Sequence, residues 1–162
     1  GSEMCIRDRG GSGEDNNGDS YPDGNRYAWG DTFSIDIGGV CVHCNFHNAY
    51  SDPMPDSLVD EFEYSAPVGS FPTGESWCGA TEMCGNVAEW VSDWFSLDYY
   101  SISPASDPPG PETGDKKVVR GGSFIDQSSA SDPGYYLRTW RRDSNDPDDR
   151  KKHIGFRIAK DS

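Results

Sequence analysis

The sequence predicts one loop-rich globular domain built on short strands, and three observations predict it. A chain of 162 residues supplies one hydrophobic core and not comfortably two. Its hydrophobic share is only 33%, and 19 glycines and 11 prolines punctuate it, which favours turns over long regular elements. An aromatic share of 12% compensates, because each ring buries a large area; Trp29, Trp77, Trp90, Trp94 and Trp140 are expected to carry much of the core. Where order is expected, apolar residues alternate with period two in short runs, the pattern of strands.

The formal net charge of -14 argues against nucleic-acid binding and against adhesion to anionic membranes, both of which need a surplus of Lys and Arg. Such a chain attracts cations and resists aggregation. A local exception, Arg138, Arg141, Arg142, Arg150, Lys151 and Lys152, faces Asp143, Asp146, Asp148 and Asp149, which nearly balance it. No apolar run approaches the ~20 residues needed to cross a bilayer, and residues 1–11 carry charges without an apolar centre, so no secretory leader or membrane insertion is expected from them. Gly1 and Ser2 resemble a cloning scar, and residues 2–9 read as foreign sequence joined on.

In chain order, residues 10–25 are Gly, Asp, Asn and Ser with a single aromatic, a composition that does not offset its own ordering entropy; with the preceding residues they form a flexible or foreign segment, 1–25, ahead of a domain at 26–160. Tyr27-Ala28-Trp29-Gly30-Asp31 suits a short buried stretch ending in a turn. Residues 35–46 alternate, which predicts a strand with Val40, Val42, Cys44 and Phe46 on one face and Cys41, His43, Asn45 and His47 on the other. That strand would point Cys41 and Cys44 in opposite directions, which disfavours a zinc site despite the Cys41-x-x-Cys44 spacing. With Cys5 set aside, Cys41, Cys44, Cys78 and Cys84 permit three disulfide pairings and an oxidising compartment, or else four buried thiols. Two close prolines make residues 52–56 irregular, and alternation returns over residues 59–64.

In Glu82-Met83-Cys84-Gly85-Asn86-Val87-Ala88-Glu89-Trp90, two carboxylates flank a Gly-Asn turn ahead of Trp90 and Trp94. A polar loop pinned to a large apolar anchor suits a hard structural cation held by carboxylates and carbonyls. On spacing alone the stretch reads first as a plain Gly-Asn turn entering a strand whose tryptophans are core, with Glu82 and Glu89 solvated. Residues 104–114 read as a surface loop, residues 117–120 as a strand running into the sharp Gly121-Gly122 turn, and residues 135–140 and 155–159 as closing strands. Arg120, Arg141 and Arg157 read as core-edge arginines whose stems pack and whose forks bind carbonyls or carboxylates.

The stretch Gly85-Asn86-Val87-Ala88-Glu89-Trp90 resembles the G-N-x-x-E-W signature of the formylglycine-generating enzyme family, the sulfatase-modifying-factor domain. Further matches follow in that family's order: residues 27–31, Cys44-Asn45-Phe46, residues 65–72, Val119-Arg120-Gly121-Gly122-Ser123-Phe124 and Ile154-Gly155-Phe156-Arg157. The resemblance implies an α+β, loop-rich, C-type-lectin-like fold with small antiparallel sheets, and this chain corresponds to the C-terminal two-thirds of such a domain. It implies a first calcium held by Asn45, Phe46, Asp60 and Phe62, and a second by Glu82, Gly85, Val87 and Glu89, with Gly85 and Val87 acting through carbonyls. Residues 73–80 look longer than the family's turn, which bears on Glu82.

The family's oxidases hold copper with two cysteines shortly after the Gly-Gly-Ser turn. Here that stretch is Phe124-Ile125-Asp126-Gln127-Ser128-Ser129-Ala130-Ser131-Asp132, and it contains no cysteine. Monovalent copper selects soft thiolates, so no copper is expected. His43, His47 and His153 form no iron-binding facial spacing. The expectation is therefore a non-catalytic, calcium-stabilised module that is secreted, periplasmic or on the cell surface. Its ligand-facing loop would run from Asp126, Gln127, Ser128 and Ser129 to Tyr135, and it would bind a protein or glycan or assemble with itself. The alternatives are a metal-dependent oxidase or sulfatase-modifying accessory enzyme whose metal ligands lie in the N-terminal part of the family's domain that this sequence lacks, and a structural subunit of a surface assembly.

Overall fold

The computed structural model describes residues 26–33, 41–46, 62–76, 79–104, 108–126 and 134–158. The expectations for residues 1–25 and 52–56, and for Asp60, Trp77, Cys78, Gln127, Ser128 and Ser129, lie outside the described residues. One four-stranded sheet organises the rest, made of β1 (Ala88–Trp94), β2 (Lys117–Arg120), β3 (Asp143–Asn145) and β4 (Ile154–Gly155) in the order β3-β2-β1-β4. β1 to β2 and β2 to β3 are antiparallel, but β4 runs parallel to β1, so the sheet is mixed and not purely antiparallel. The parallel pairing arises because the chain returns through residues 146–153 to the far side of β1, where Ala88 N–H donates to the His153 carbonyl at 2.9 Å.

Alternation places Glu89, Val91 and Asp93 on the buried face of β1, while Trp90 and Trp94 face partly outward. The register slips between Trp90 and Trp94, and β2 supplies Val118 and Val119, almost wholly buried. Trp90, Trp94 and Trp140 thus depart from the expected core role, while Trp29 packs against the central cluster and stacks on Tyr27. Trp29, Trp90, Trp94 and Trp140 are all only half-buried, and Trp94 and Trp140 carry the cations Lys117 and Arg138 over their rings at 3.8 and 5.5 Å. The central cluster is built from Tyr27, Cys41, Cys44, Phe46, Met83, Cys84 and Leu137.

Residues 27–31 form the tight turn their pattern predicts, with Tyr27 and Gly30 exchanging backbone hydrogen bonds at 2.9 and 3.2 Å. Residues 41–46 are not the expected continuous strand. Cys41, Cys44, Asn45 and Phe46 are all buried while Val42 is exposed, a sequence of faces that period two does not allow. The backbone here serves side partners instead: Thr73 Oγ1 donates to the Val42 carbonyl at 2.6 Å, and Asn86 N–H donates to the Asn45 carbonyl at 2.7 Å. The expected closing strand at 135–140 is also replaced, by a 3-10 turn at Tyr135–Leu137 that drives Leu137 into the central cluster. A single helical turn, α1 (Tyr99–Ile102), buries Tyr99, whose hydroxyl accepts from Gly110 N–H at 2.9 Å and so ties down the following loop. No helix is long and apolar enough to cross a membrane, among the described residues.

Candidate functional site

Two left-handed turns meet at the N-terminal end of β1 and the C-terminal end of β2. In the first, Glu82, Gly85 and Asn86 all have positive φ, at 55°, 73° and 60°. At Gly85 a Cβ would lie 2.5 Å from the Asn45 carbonyl oxygen, so only glycine fits. The Asn86 amide is committed in four directions: Oδ1 accepts from Ala66 N–H at 2.8 Å and from Asn45 Nδ2 at 3.4 Å, while Nδ2 donates to the Ala66 carbonyl at 3.2 Å and to Glu82 Oε2 at 3.0 Å. Glu82 Oε1 accepts from Gly69 N–H at 2.8 Å. The turn therefore satisfies its own polar groups.

Glu89, buried on β1, faces Arg157 just beyond β4. Arg157 Nε donates to Glu89 Oε2 at 2.7 Å, and Arg157 Nη2 closes an ion pair with Glu89 Oε1. The same guanidinium donates to the Glu82 carbonyl at 3.0 Å and the Thr81 carbonyl at 3.3 Å. Carboxylate and carbonyl oxygens thus converge here, and what they converge on is an arginine. Of the Glu82, Gly85, Val87 and Glu89 set, the Glu82 carboxylate is spent within the turn and Glu89 is held in a fork-to-fork pair. A hard cation would have to displace Arg157, so this donor set does not fit one.

The other calcium set is described in part. Asn45 is buried, and its Nδ2 donates to the Tyr64 carbonyl at 2.7 Å and to Asn86, which leaves its amide oxygen for a cation. Phe46 packs edge-on to Phe33 and Phe62 edge-on to Phe71, so both offer only backbone oxygens; Asp60 lies outside the described residues. Asn45 and the Phe62–Tyr64 segment are brought together by that amide bond. Among the described residues, no three His, Cys, Asp or Glu side chains gather to hold a metal.

The second turn, Gly121 and Gly122 with φ of 91° and 67°, is bonded to the first through Gly85 N–H to the Gly121 carbonyl at 2.7 Å and Phe124 N–H to the Asn86 carbonyl at 3.0 Å. A Cβ at Gly122 would come within 3.1 Å of the Tyr136 carbonyl oxygen. Beside it opens a cleft of about 70 Å³ lined by polar groups that include Asp126, Tyr136, Arg141, Asp143, Asn145 and His153. Asp126 stands about where the resemblance implies the first cysteine of a thiol pair, and its Oδ2 accepts from Ser123 N–H at 2.7 Å and Ser123 Oγ at 2.9 Å. An oxygen donor in a closed Ser-Asp turn does not fit monovalent copper.

Arg141 spans the cleft edge, donating to Tyr135 Oη at 3.0 Å and to Asp143 at 3.4 Å, with its guanidinium 4.7 Å from the centre of the Tyr135 ring. Burial lowers the His153 pKa, and Lys151 and Lys152 add to this against the pull of Asp126. The imidazole is therefore neutral near pH 7, able to donate and to accept. Arg120, buried at the back, donates to the Thr139 carbonyl at 2.6 Å and to Tyr100 Oη at 2.9 Å, the core-edge role expected of it.

The structure places Asp126 and Tyr135 near this cleft, and Gln127, Ser128 and Ser129 lie outside the described residues. Sequence reasoning missed Tyr136, Arg141, Asp143, Asn145 and His153 as cleft residues. The signal lies in the mixed charges of residues 138–149, a pattern that also suits a solvated, self-balancing surface. It also placed Cys41 and Cys44 back to back, whereas their sulfurs are 3.2 Å apart because the chain bends at 42–44.

Comparison with known proteins matches residues 6–162 to the family described as the sulfatase-modifying factor enzyme 1-like domain. The chain is 40% identical over 143 residues to a formylglycine-generating enzyme of Streptomyces coelicolor, covering 86% of this chain and 41% of that protein. It is 35% identical over 102 residues to the hercynine oxygenase of Mycolicibacterium thermoresistibile, covering 59% of this chain and 22% of that one. Among solved structures, PvdO from Pseudomonas aeruginosa superposes with a TM-score of 0.56 at 24% identity, over 94% of this chain and 49% of its own, which speaks to fold alone. The chain spans 41% and 43% of the length of the formylglycine-generating enzymes of Streptomyces coelicolor and Thermomonospora curvata, and 28% of the one of Mus musculus. With its ordered motifs, its paired left-handed turns and a match to nearly its whole length, this chain belongs to the sulfatase-modifying factor enzyme 1-like domain family.

Proposed function

We propose that the domain is a non-catalytic member of its family, a calcium-stabilised binding or assembly module of the secreted, periplasmic or cell-surface kind, whose ligand meets the protein at the Asp126 cleft. The observation that carries this reading is Asp126, locked to Ser123, in the cysteine-free stretch where the resemblance to the family's oxidases implies a copper-binding thiol pair. Size supports it as well. A cleft of about 70 Å³ admits a few waters or the tip of one ligand group, whereas small-molecule sites enclose roughly 300–1,000 Å³. A surface that touches only the tip of its partner suits a protein or glycan, and the Arg141–Tyr135 pair at its rim is of the type enriched at binding surfaces. Calcium in this reading belongs to Asn45, Phe46, Asp60 and Phe62, since Arg157 serves the other set.

A second reading is favoured by the 40% identity to a formylglycine-generating enzyme. In it, the domain is part of a metal-dependent oxidase or accessory enzyme whose ligands lie in a longer protein. Metal analysis and thermal denaturation separate the two. The module reading expects calcium bound, a melting temperature raised by calcium and lowered by chelator, and no rise in the Asp60→Ala variant. Stoichiometric copper or iron in the purified protein, with oxygen consumption, would sink it. Probing glycan and peptide arrays with the wild type and with Arg141→Ala tests the ligand site; signals that survive the substitution unchanged would place binding elsewhere.

A further inference from the structure

We infer that Cys41 and Cys44 form an intramolecular disulfide, a covalent clamp that fixes the segment carrying Asn45 beneath the Asn86 turn. The two sulfurs lie 3.2 Å apart, and the residues are 0% and 2% exposed within the central cluster, beside Phe46, Met83 and Leu137. Two uses of a buried Cys-x-x-Cys pair differ in the separation and in the further ligands they need. Thiolates sharing a tetrahedral metal at about 2.3 Å per bond stand about 3.8 Å apart, while a disulfide needs about 2.05 Å. At 3.2 Å the pair lies inside the metal-bridged separation, and among the described residues no third His, Cys, Asp or Glu gathers with it to complete a tetrahedral site, so rotation of the two side chains into a disulfide is the use the cluster supports. In the same cluster, Cys84 Sγ donates to the Leu137 carbonyl at 3.1 Å.

A catalytic dithiol needs an accessible thiolate, and these sulfurs are sealed among aromatic and aliphatic groups, so the clamp is structural. It forms while the chain is still open. The Cys44 or Cys41 thiolate attacks a low-molecular-weight disulfide such as oxidised glutathione, giving a mixed disulfide and one reduced thiol. The neighbouring thiolate then displaces the second glutathione, so two protons and two electrons leave the protein and one disulfide is reduced to two thiols. In the folded chain the bond is shielded, and reductant reaches it when the chain unfolds. The clamp braces residues whose carbonyls hold the adjoining turns, the Val42 carbonyl receiving Thr73 Oγ1 and the Asn45 carbonyl receiving Asn86 N–H.

The inference uses the proposed function only for its oxidising compartment, and the test supplies its own redox buffer, so the two can fail separately. The full chain is refolded in a glutathione buffer, alkylated in denaturant with and without prior reduction, and mapped by peptide mass. Without reduction, the peptide containing residues 41–44 should carry no label and weigh two mass units less than the dithiol; after reduction both cysteines should be labelled. Label on both cysteines in the unreduced sample, or either one joined to a different cysteine, overturns the inference. As a second readout, adding a phosphine reductant to the unfolding reaction should lower the wild-type melting temperature by about 5 °C and leave Cys41→Ala/Cys44→Ala unmoved. A wild type insensitive to reductant overturns it too.

Discussion

The two left-handed turns differ in what faces their oxygens. At Glu82–Asn86, every described carboxylate and amide has a protein partner, and the converging oxygens of Glu89, Glu82 and Thr81 are filled by the Arg157 guanidinium. At Gly121–Asp126, one carboxylate oxygen is tied to Ser123, and the groups beyond it line an open cleft. Because the turns are bonded to each other through Gly85 and Phe124, the closed one acts as the rigid wall against which the open one is held. Function is expected at the open turn and stability at the closed one.

The largest effect should follow from breaking the closed turn at its cation. Arg157→Met leaves Glu89 buried without its counter-charge, and removing one partner of such a pair costs about 3 kcal/mol. At this chain length that is a fall of roughly 9 °C in melting temperature. A change under 2 °C on thermal denaturation would mean that the pair is not structural. Asn86→Ala comes next, because it strips four hydrogen bonds and orphans the Ala66 amide; about 2 kcal/mol should be lost, measurable by urea titration.

These two positions also show what could be read in advance. The Gly-Asn turn was legible because Gly85 and Asn86 are the residue types that tolerate positive φ, and the strands β1 and β2 were legible as the runs that adjoin the Gly85-Asn86 and Gly121-Gly122 turns. Glu82, also at positive φ, carried no such signal. The Glu89–Arg157 pair was hidden by a separation of 68 residues, since sequence patterns report local faces and not distant partners. Residues 41–46 misled for the opposite reason. Their alternation was real in composition, but Thr73 and Asn86 claimed the carbonyls that a neighbouring strand would have needed. Cleft residues such as Asn145 and His153 became visible only once β3 and β4 brought them to the two sides of the β1–β2 pair.

At the open turn the contrast should invert, with binding lost and stability kept. Arg141→Ala should weaken capture on the arrays by about tenfold or more while stability moves by under about 0.5 kcal/mol. Loss of both together would show that the cleft is part of the scaffold.

The smallest effect concerns Asp93, on the buried face of β1. Its Oδ2 has no hydrogen-bond partner, and burial raises its pKa above the ordinary 3.8, outweighing the favourable Ser92, Arg120, Lys117 and Arg142. In the window above 3.8 the folded chain holds a proton that the unfolded chain has released, so this group's contribution to stability falls as pH rises through the raised value. Asp93→Asn should flatten that part of the stability profile and match or exceed the wild type at neutral pH. An Asn variant that loses stability more steeply than the wild type between pH 4 and about 7 would show the carboxylate to be needed in its charged form.

Calcium stoichiometry, read by titration calorimetry on the chelator-stripped wild type, tests most directly the contrast between a turn closed by its own arginine and a loop left for an ion. One calcium per chain is the predicted result, bound through the Asn45 set, with none at Glu82, Gly85, Val87 and Glu89. Two ions per chain, or none, would contradict it.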